Sequence, residues 1–237
     1  MMLFHLAGHS GAGKSRLIAA LVKRGVKFPR AVLYTSRLAR DGEIHGVDYY
    51  FLSKGAIAAL PRPSFFIGPV REMLQAVDLV QLEEDLRSPK SNLVLIEIFA
   101  DLWPELKSQI TNRVGGELRT ASVFMTAVDP EIVKALPENE IRGRYIQTEV
   151  QRSLTWRGKD AGDKVASRSR SAVDEVLGAL QLKQTAACYD EVLYSAPEGP
   201  DGQDEWTRTG EPIGRAKSVL DRVAALIGAA SRSEKAR

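Results

Sequence analysis

The sequence predicts a three-layer α/β fold built on a parallel sheet, and three observations carry that prediction. Short apolar runs suited to buried strands recur at residues 2–7, 31–35, 92–99, 121–127 and 189–195. Stretches with helical spacing of apolar residues alternate with them, the pattern of strand–helix–strand units. Between the first run and the first helix, residues 8–15 read Gly-His-Ser-Gly-Ala-Gly-Lys-Ser, which is G-x-x-x-x-G-K-[ST]. A chain of 237 residues is long enough for one such core with inserted subdomains.

That motif is the phosphate-binding loop of a P-loop NTPase, and its chemistry explains its residues. Gly8, Gly11 and Gly13 let the backbone curl with its N–H groups pointing inward, beside a helix N-terminus that carries partial positive charge. Ser10 and Ala12 complete the cradle, Lys14 can reach the β- and γ-phosphates of a bound nucleotide, and the Ser15 hydroxyl can ligate Mg²⁺. Leu17, Leu21 and Val22 mark the buried face of the helix that follows. His9 lies in the turn and is a possible phosphate contact, while His5 reads as a core residue; none of the three histidines has metal-ligand spacing.

Bulk properties narrow the class. The formal net charge of +3 is mild and suggests no nucleic-acid groove. No apolar run approaches the length of a membrane span, and Met1-Met2 leads directly into a strand, so no signal peptide is expected. The single cysteine, Cys188, excludes an internal disulfide; it reads as a small buried residue and fits a cytoplasmic setting.

Residues 34–52 hold the second informative pattern. Arg37 and Arg40 lie three apart just after a strand end, and Asp41-Gly42 and His45-Gly46 are turn signals around Glu43. Two guanidinium groups can clamp one phosphate, and Tyr49 can add a hydrogen bond. Alone, the pair would read first as two solvated arginines on a hairpin. Asn92 to Phe99 is the clearest buried strand, and it places Glu97 at the ligand edge of the sheet. Leu102–Val114 reads as a helix with Pro104 in its first turn, and Asp129-Pro130-Glu131 as a helix start with Asp129 at the cap. Residues 142–170 are dense in arginine, with Arg152 and Arg157 before a helix from about 162 to 182 that carries Arg168. Arg142, Arg144 and Arg170 read as solvated positions. A Pro/Gly/acid-rich loop follows at 197–212, then an amphipathic helix from Gly214 to Gly228.

A phosphate loop followed by Tyr34-Thr35-Ser36-Arg37, Arg40, Gly42-Glu43, Gly46, Asp48-Tyr49 and Phe51 resembles the guanylate kinase family. The resemblance implies that Arg37, Arg40 and Tyr49 hold the acceptor phosphate, with Glu43 beside the arginines. It implies that Glu97 stands near Mg²⁺ with Ser15, and that Arg157 and Arg168 are the lid arginines that act on the transferred group together with Lys14. It also implies ATP and a nucleoside monophosphate, GMP, as substrates, in a monomer or homodimer. The implied organisation is one domain over 1–237: a core at 1–31, 91–137 and 166–230, an acceptor-binding insert at 32–90, a lid at 138–165 and a tail at 231–237. The chain departs from the family at its base-contacting positions. Leu33 stands for a serine, Phe99-Ala100-Asp101 for a further aspartate and its glutamine-glycine turn, Phe65-Phe66, without hydroxyls, for the tyrosine pair, and the glutamate-tryptophan segment has no counterpart. Glu72, Gln75 and Asp78, on an amphipathic stretch from Val70 to Leu86 expected to be helical, are the candidate replacements. Ser195-Ala196 replaces the asparagine beside the donor adenine. A kinase of another phosphorylated small molecule keeps the same clamp. A non-catalytic binding module of this family would be expected to lose Lys14, and a regulatory GTPase would need an Asn-Lys-x-Asp motif, which is absent.

Overall fold

The computed structural model describes residues 1–157, 162–182, 189–195, 204–207 and 211–232. The chain forms two compact units. One holds Met1–His5 and Lys27–Ala121, the other Leu6–Val26 and Ser122–Arg237.

In the first unit, β1 (Met2–Gly8) begins in parallel pairing with β6 (Leu93–Ile96), in register from Met2 opposite Leu93 to His5 opposite Ile96. Four strands between them form a second sheet: β2 (Tyr34–Thr35), β3 (Tyr50–Phe51), β4 (Phe65–Val70) and β5 (Met73–Asp78), in the order β3-β2-β5-β4. The helices are α2 (Lys54–Ala58), α3 (Leu79–Arg87) and α4 (Trp103–Val114). Leu3, Val94, Ile96, Leu82, Leu106 and Ile110 form the centre of its apolar core. Each is almost fully removed from water, worth about 2 kcal/mol per side chain.

Two sequence expectations are corrected here. The stretch from Val70 to Leu86 is not one helix. Its first part turns at Arg71-Glu72 and returns as β5, antiparallel to β4 from Phe65 opposite Asp78 to Val70 opposite Met73. The helix starts only at Leu79, where the Asp78 carboxylate accepts from the Val80 and Gln81 N–H groups. Hairpin pairing outweighs the helical spacing, because β5 also pairs with β2 and gains ladder bonds on both sides. The strand expected at 31–35 is shorter, because its first half belongs elsewhere. Ala31 N donates to Leu95 O (2.8 Å) and Leu95 N to Pro29 O (3.0 Å), so residues 29–31 run beside β6, and only Tyr34–Thr35 joins the second sheet.

In the second unit, α1 (Lys14–Lys23) follows the end of β1. The strand β7 (Arg119–Thr126) pairs in parallel with β8 (Glu191–Tyr194), from Val123 opposite Glu191 to Thr126 opposite Tyr194. The helices are α5 (Pro130–Ala135), α6 (Asn139–Arg157), α7 (Gly162–Ala179) and α8 (Gly214–Arg232). Asp129 caps α5 as the sequence predicts, accepting from Glu131 N. On α6, Ile146, Val150 and Leu154 recur at four-residue spacing and bury one stripe in the same core as Ala172 and Val176 of α7. No helix among the described residues is long and apolar enough to cross a membrane.

Candidate active site

The phosphate loop lies within the second unit, where β1 ends. Gly8, Gly11 and Gly13 all have positive φ, at 145°, 91° and 90°. At Gly8 the requirement is also steric, since a Cβ there would sit 2.3 Å from the Met125 carbonyl oxygen of β7. Gly13 caps α1 in the left-handed conformation without a side-chain hydrogen bond, and the first turn of α1 carries no acidic residue. The helix therefore presents the partial positive charge of its N-terminus to the loop. Lys14 Nζ donates to the Gly8 carbonyl and to the His9 carbonyl (3.3 Å), so the ammonium is folded over the loop it serves. From α6, the buried Ser153 hydroxyl donates to the Gly11 carbonyl (3.1 Å).

His9 is fully buried beneath this loop. Its Nδ1 lies 2.8 Å from Ser10 O, and its Nε2 accepts from Ala127 N at 3.0 Å. A carbonyl only accepts and an amide only donates, so the ring is neutral with its proton on Nδ1. His9 thus pins the loop to the end of β7 and does not face a phosphate. Burial lowers its pKa to about 4. His5, in the first unit, is a core residue as predicted. It stacks on Trp103 at 4.4 Å between ring centroids, donates from Nε2 to Ile98 O (3.0 Å), and is lowered by burial to about 4. An unfolded imidazole binds a proton below about pH 6.5, whereas these two do not until about pH 4. The unfolded state therefore takes up protons in that window, and stability falls as the pH drops through it. Between pH 7.5 and 5 each histidine is expected to cost about 2 kcal/mol of folding free energy. Urea unfolding at the two pH values checks this, and equal stability at both would refute it.

The clamp lies within the first unit. Arg37 Nη1 and Nη2 donate to the two oxygens of Glu43 at 2.6 and 2.7 Å, a two-point pairing that fixes the guanidinium plane. Glu43 Oε2 also accepts from Arg40 N (2.8 Å), so one carboxylate fixes the Arg37 guanidinium and the backbone at Arg40. The Arg37 guanidinium lies 4.8 Å from the centre of the Tyr49 ring. Burial opposes the charge on Arg37, but the Glu43 hydrogen bonds outweigh it and hold the group above its ordinary value. The same bonds hold Glu43 below the usual carboxylate range. Burial pushes the Tyr49 phenol up, with Glu97 adding to the rise, so Tyr49 remains a donor.

Glu97 follows β6 as predicted. Its carboxylate is mostly buried and pairs with Arg30 Nη2 at 2.8 Å. Sequence reasoning missed Arg30. It sits on the 29–31 segment that runs beside β6, and its partner is 67 residues away, so no local pattern announces it. Of the candidate base-contacting residues, Asp78 is engaged in capping α3 and Glu72 is exposed at the β4–β5 turn. The Gln75 carboxamide oxygen accepts from Phe99 N (3.2 Å), which leaves its NH₂ as the donor end. Among the lid residues, Arg152 projects from an exposed position on α6 and Arg168 lies half-buried on α7. The side chain of Arg157, together with Lys159, Cys188 and most of 197–212, lies outside the described residues.

A glycine-lined phosphate loop capping a helix, with a lysine folded over it, defines a P-loop nucleotide-binding protein. The Arg37–Glu43 pair and the Arg40 backbone bond close a second polar cluster, in the first unit. The family model for guanylate kinase matches residues 2–69, which include both the loop and the clamp. The guanylate kinase of Lactobacillus johnsonii is 33% identical over 153 residues, covering 56% of this chain and 75% of that protein. That of Haemophilus influenzae is 28% identical over 179 residues, covering 73% and 74% respectively. The crystal structure of guanylate kinase from Anaplasma phagocytophilum superposes with a TM-score of 0.51 at 17% identity, covering 96% of this chain and 85% of that one, a similarity of fold. The chain belongs to the guanylate kinase family, whose members are nucleoside monophosphate kinases.

Proposed function

We propose that this chain transfers the γ-phosphoryl group of ATP to the phosphate of GMP, giving ADP and GDP. The observation that carries this reading is the Arg37–Glu43–Arg40 cluster, in which one carboxylate pairs with the Arg37 guanidinium and accepts from the Arg40 backbone N–H. Lys14 and the loop N–H groups of residues 8–15 hold the donor phosphates. Arg37, Arg40 and Tyr49 hold the acceptor phosphate, with Glu43 orienting the arginines. An acceptor phosphate oxygen attacks the γ-phosphorus while the bond to the bridging oxygen of ADP breaks. That oxygen is anionic at neutral pH, so no strong base is needed, and positioning and charge carry the catalysis. Arg157 and Arg168 neutralise charge on the transferring group. The 32–90 insert and the 138–165 lid are the parts that close on the two substrates.

Mg²⁺ fits the donor set. Ser15 is exposed in the first turn of α1, and no cluster of three or more His, Cys, Asp or Glu able to hold a metal exists among the described residues. A hydroxyl plus substrate phosphates is how Mg²⁺ is commonly held, and Glu97 is the carboxylate that the family resemblance assigns to the ion. When bound, the ion neutralises phosphate charge. A cytoplasmic setting, supported by the single cysteine, completes the reading.

The test is ATP consumption with GMP, dGMP, AMP, CMP, UMP and dTMP offered in turn. Turnover with GMP well above the others is expected. Turnover only with a different acceptor would overturn the substrate, and none with any acceptor would overturn the kinase reading.

A further inference from the structure

Four residues far from the phosphate loop in sequence are strapped onto it in the second unit. The Trp206 indole is buried, at 4% exposure, and its Nε1 lies 3.1 Å from where a Cβ on Gly13 would stand. Trp206 Nε1 donates to Ser195 Oγ at 2.9 Å, and Ser195, just past the end of β8, is itself 1% exposed. Asp204 Oδ1 accepts from Arg16 Nη1 of α1 at 2.5 Å and from Trp206 N at 3.1 Å. Glu205, 4% exposed, accepts from Ala216 N in the first turn of α8. The segment is therefore fastened to β8 and α8 on one side, and to the last glycine of the loop and the third residue of α1 on the other. Nothing in the phosphoryl-transfer chemistry uses these groups.

We propose that Trp206 and Asp204 are positioning residues for donor binding, holding Gly13 and the start of α1 at the height where their N–H groups meet the phosphates. The physical reason is that Gly13 is anchored from its own chain only through its carbonyl, which accepts from Arg16 N and Leu17 N at 3.0 Å each. It has no side chain, takes a left-handed conformation and makes no side-chain cap, so what packs over it helps to fix its placement. An indole clamped by a buried hydrogen bond cannot rotate away, and the Asp204–Arg16 pair ties the same strap to the helix. The proposal rests on the donor-site reading given above.

The experiment is isothermal titration of the full chain with ATP and, separately, with GMP, for the unsubstituted protein, Trp206→Leu and Asp204→Ala. ATP affinity is expected to weaken about 10-fold in each variant, as small displacements of binding groups do, with GMP affinity within about twofold of the original. ATP affinity unchanged in both variants overturns the strap. Equal weakening for ATP and GMP overturns it as well, because that is loss of folded protein. Should Trp206→Leu fail to fold by circular dichroism, Asp204→Asn decides on the same two affinities. A protein with no ATP affinity before any substitution would instead defeat the functional reading, and the strap with it.

Discussion

Lys14→Ala is expected to lower kcat for ATP-dependent phosphorylation of GMP by about 10³-fold or more. In the structure the ammonium donates to the Gly8 and His9 carbonyls of the loop itself. Those are modest partners for a full charge, readily exchanged for phosphate oxygens. The positive charge then matters most as negative charge redistributes during transfer, where even a neutral preorganised donor is worth about 10²–10³ in rate. Because α1 and the loop amides are untouched, ATP should still bind, so the loss falls on kcat more than on KM for ATP. Steady-state ATP consumption measures both. Retention of more than about a tenth of the original kcat would exclude Lys14 from the catalytic role.

Arg37→Gln is expected to raise KM for GMP about 100-fold while leaving KM for ATP nearly unchanged. Two losses combine. The acceptor phosphate loses a guanidinium held in its binding orientation, and Glu43 is left as a partly buried carboxylate without its partner. Breaking a buried hydrogen-bonded charge pair costs about 2–5 kcal/mol, and about 3 kcal/mol corresponds to the expected factor. The uncompensated Glu43 would also repel the incoming phosphate. Arg37→Gln combined with Glu43→Gln should therefore recover part of the KM, although Glu43→Gln alone weakens the clamp. KM values for both substrates across the three variants check this. A rise in KM for ATP equal to that for GMP would show that Arg37 supports the fold and not the acceptor site.

The sequence by itself determined the chemistry that is local in the chain. The loop at 8–15 needs glycines at fixed spacing because positive φ and close approach admit little else, as the Met125 carbonyl over Gly8 illustrates. The Asp129 cap closes within three residues, so capping preference sufficed to read it, whereas the Arg37–Arg40–Glu43 cluster, closed within seven, was legible only through its longer family pattern. Only the tertiary structure decided what depends on partners distant in the chain. Met73–Asp78 carries helical spacing yet becomes a strand, because β2 and β4 offer its backbone ladder bonds on both sides. Residues 29–31 leave the expected strand because β6 takes their hydrogen bonds, and that move brings Arg30 to Glu97. His9 has no fixed role in the sequence until Ala127, 118 residues away, occupies its Nε2. Asp204 and Trp206 are unremarked polar and aromatic positions in a loop until folding sets them against Arg16 and Gly13, nearly 190 residues earlier. Local preference specifies dihedrals and short hydrogen bonds; which distant group fills a buried valence is settled only when the strands pair and the core excludes water.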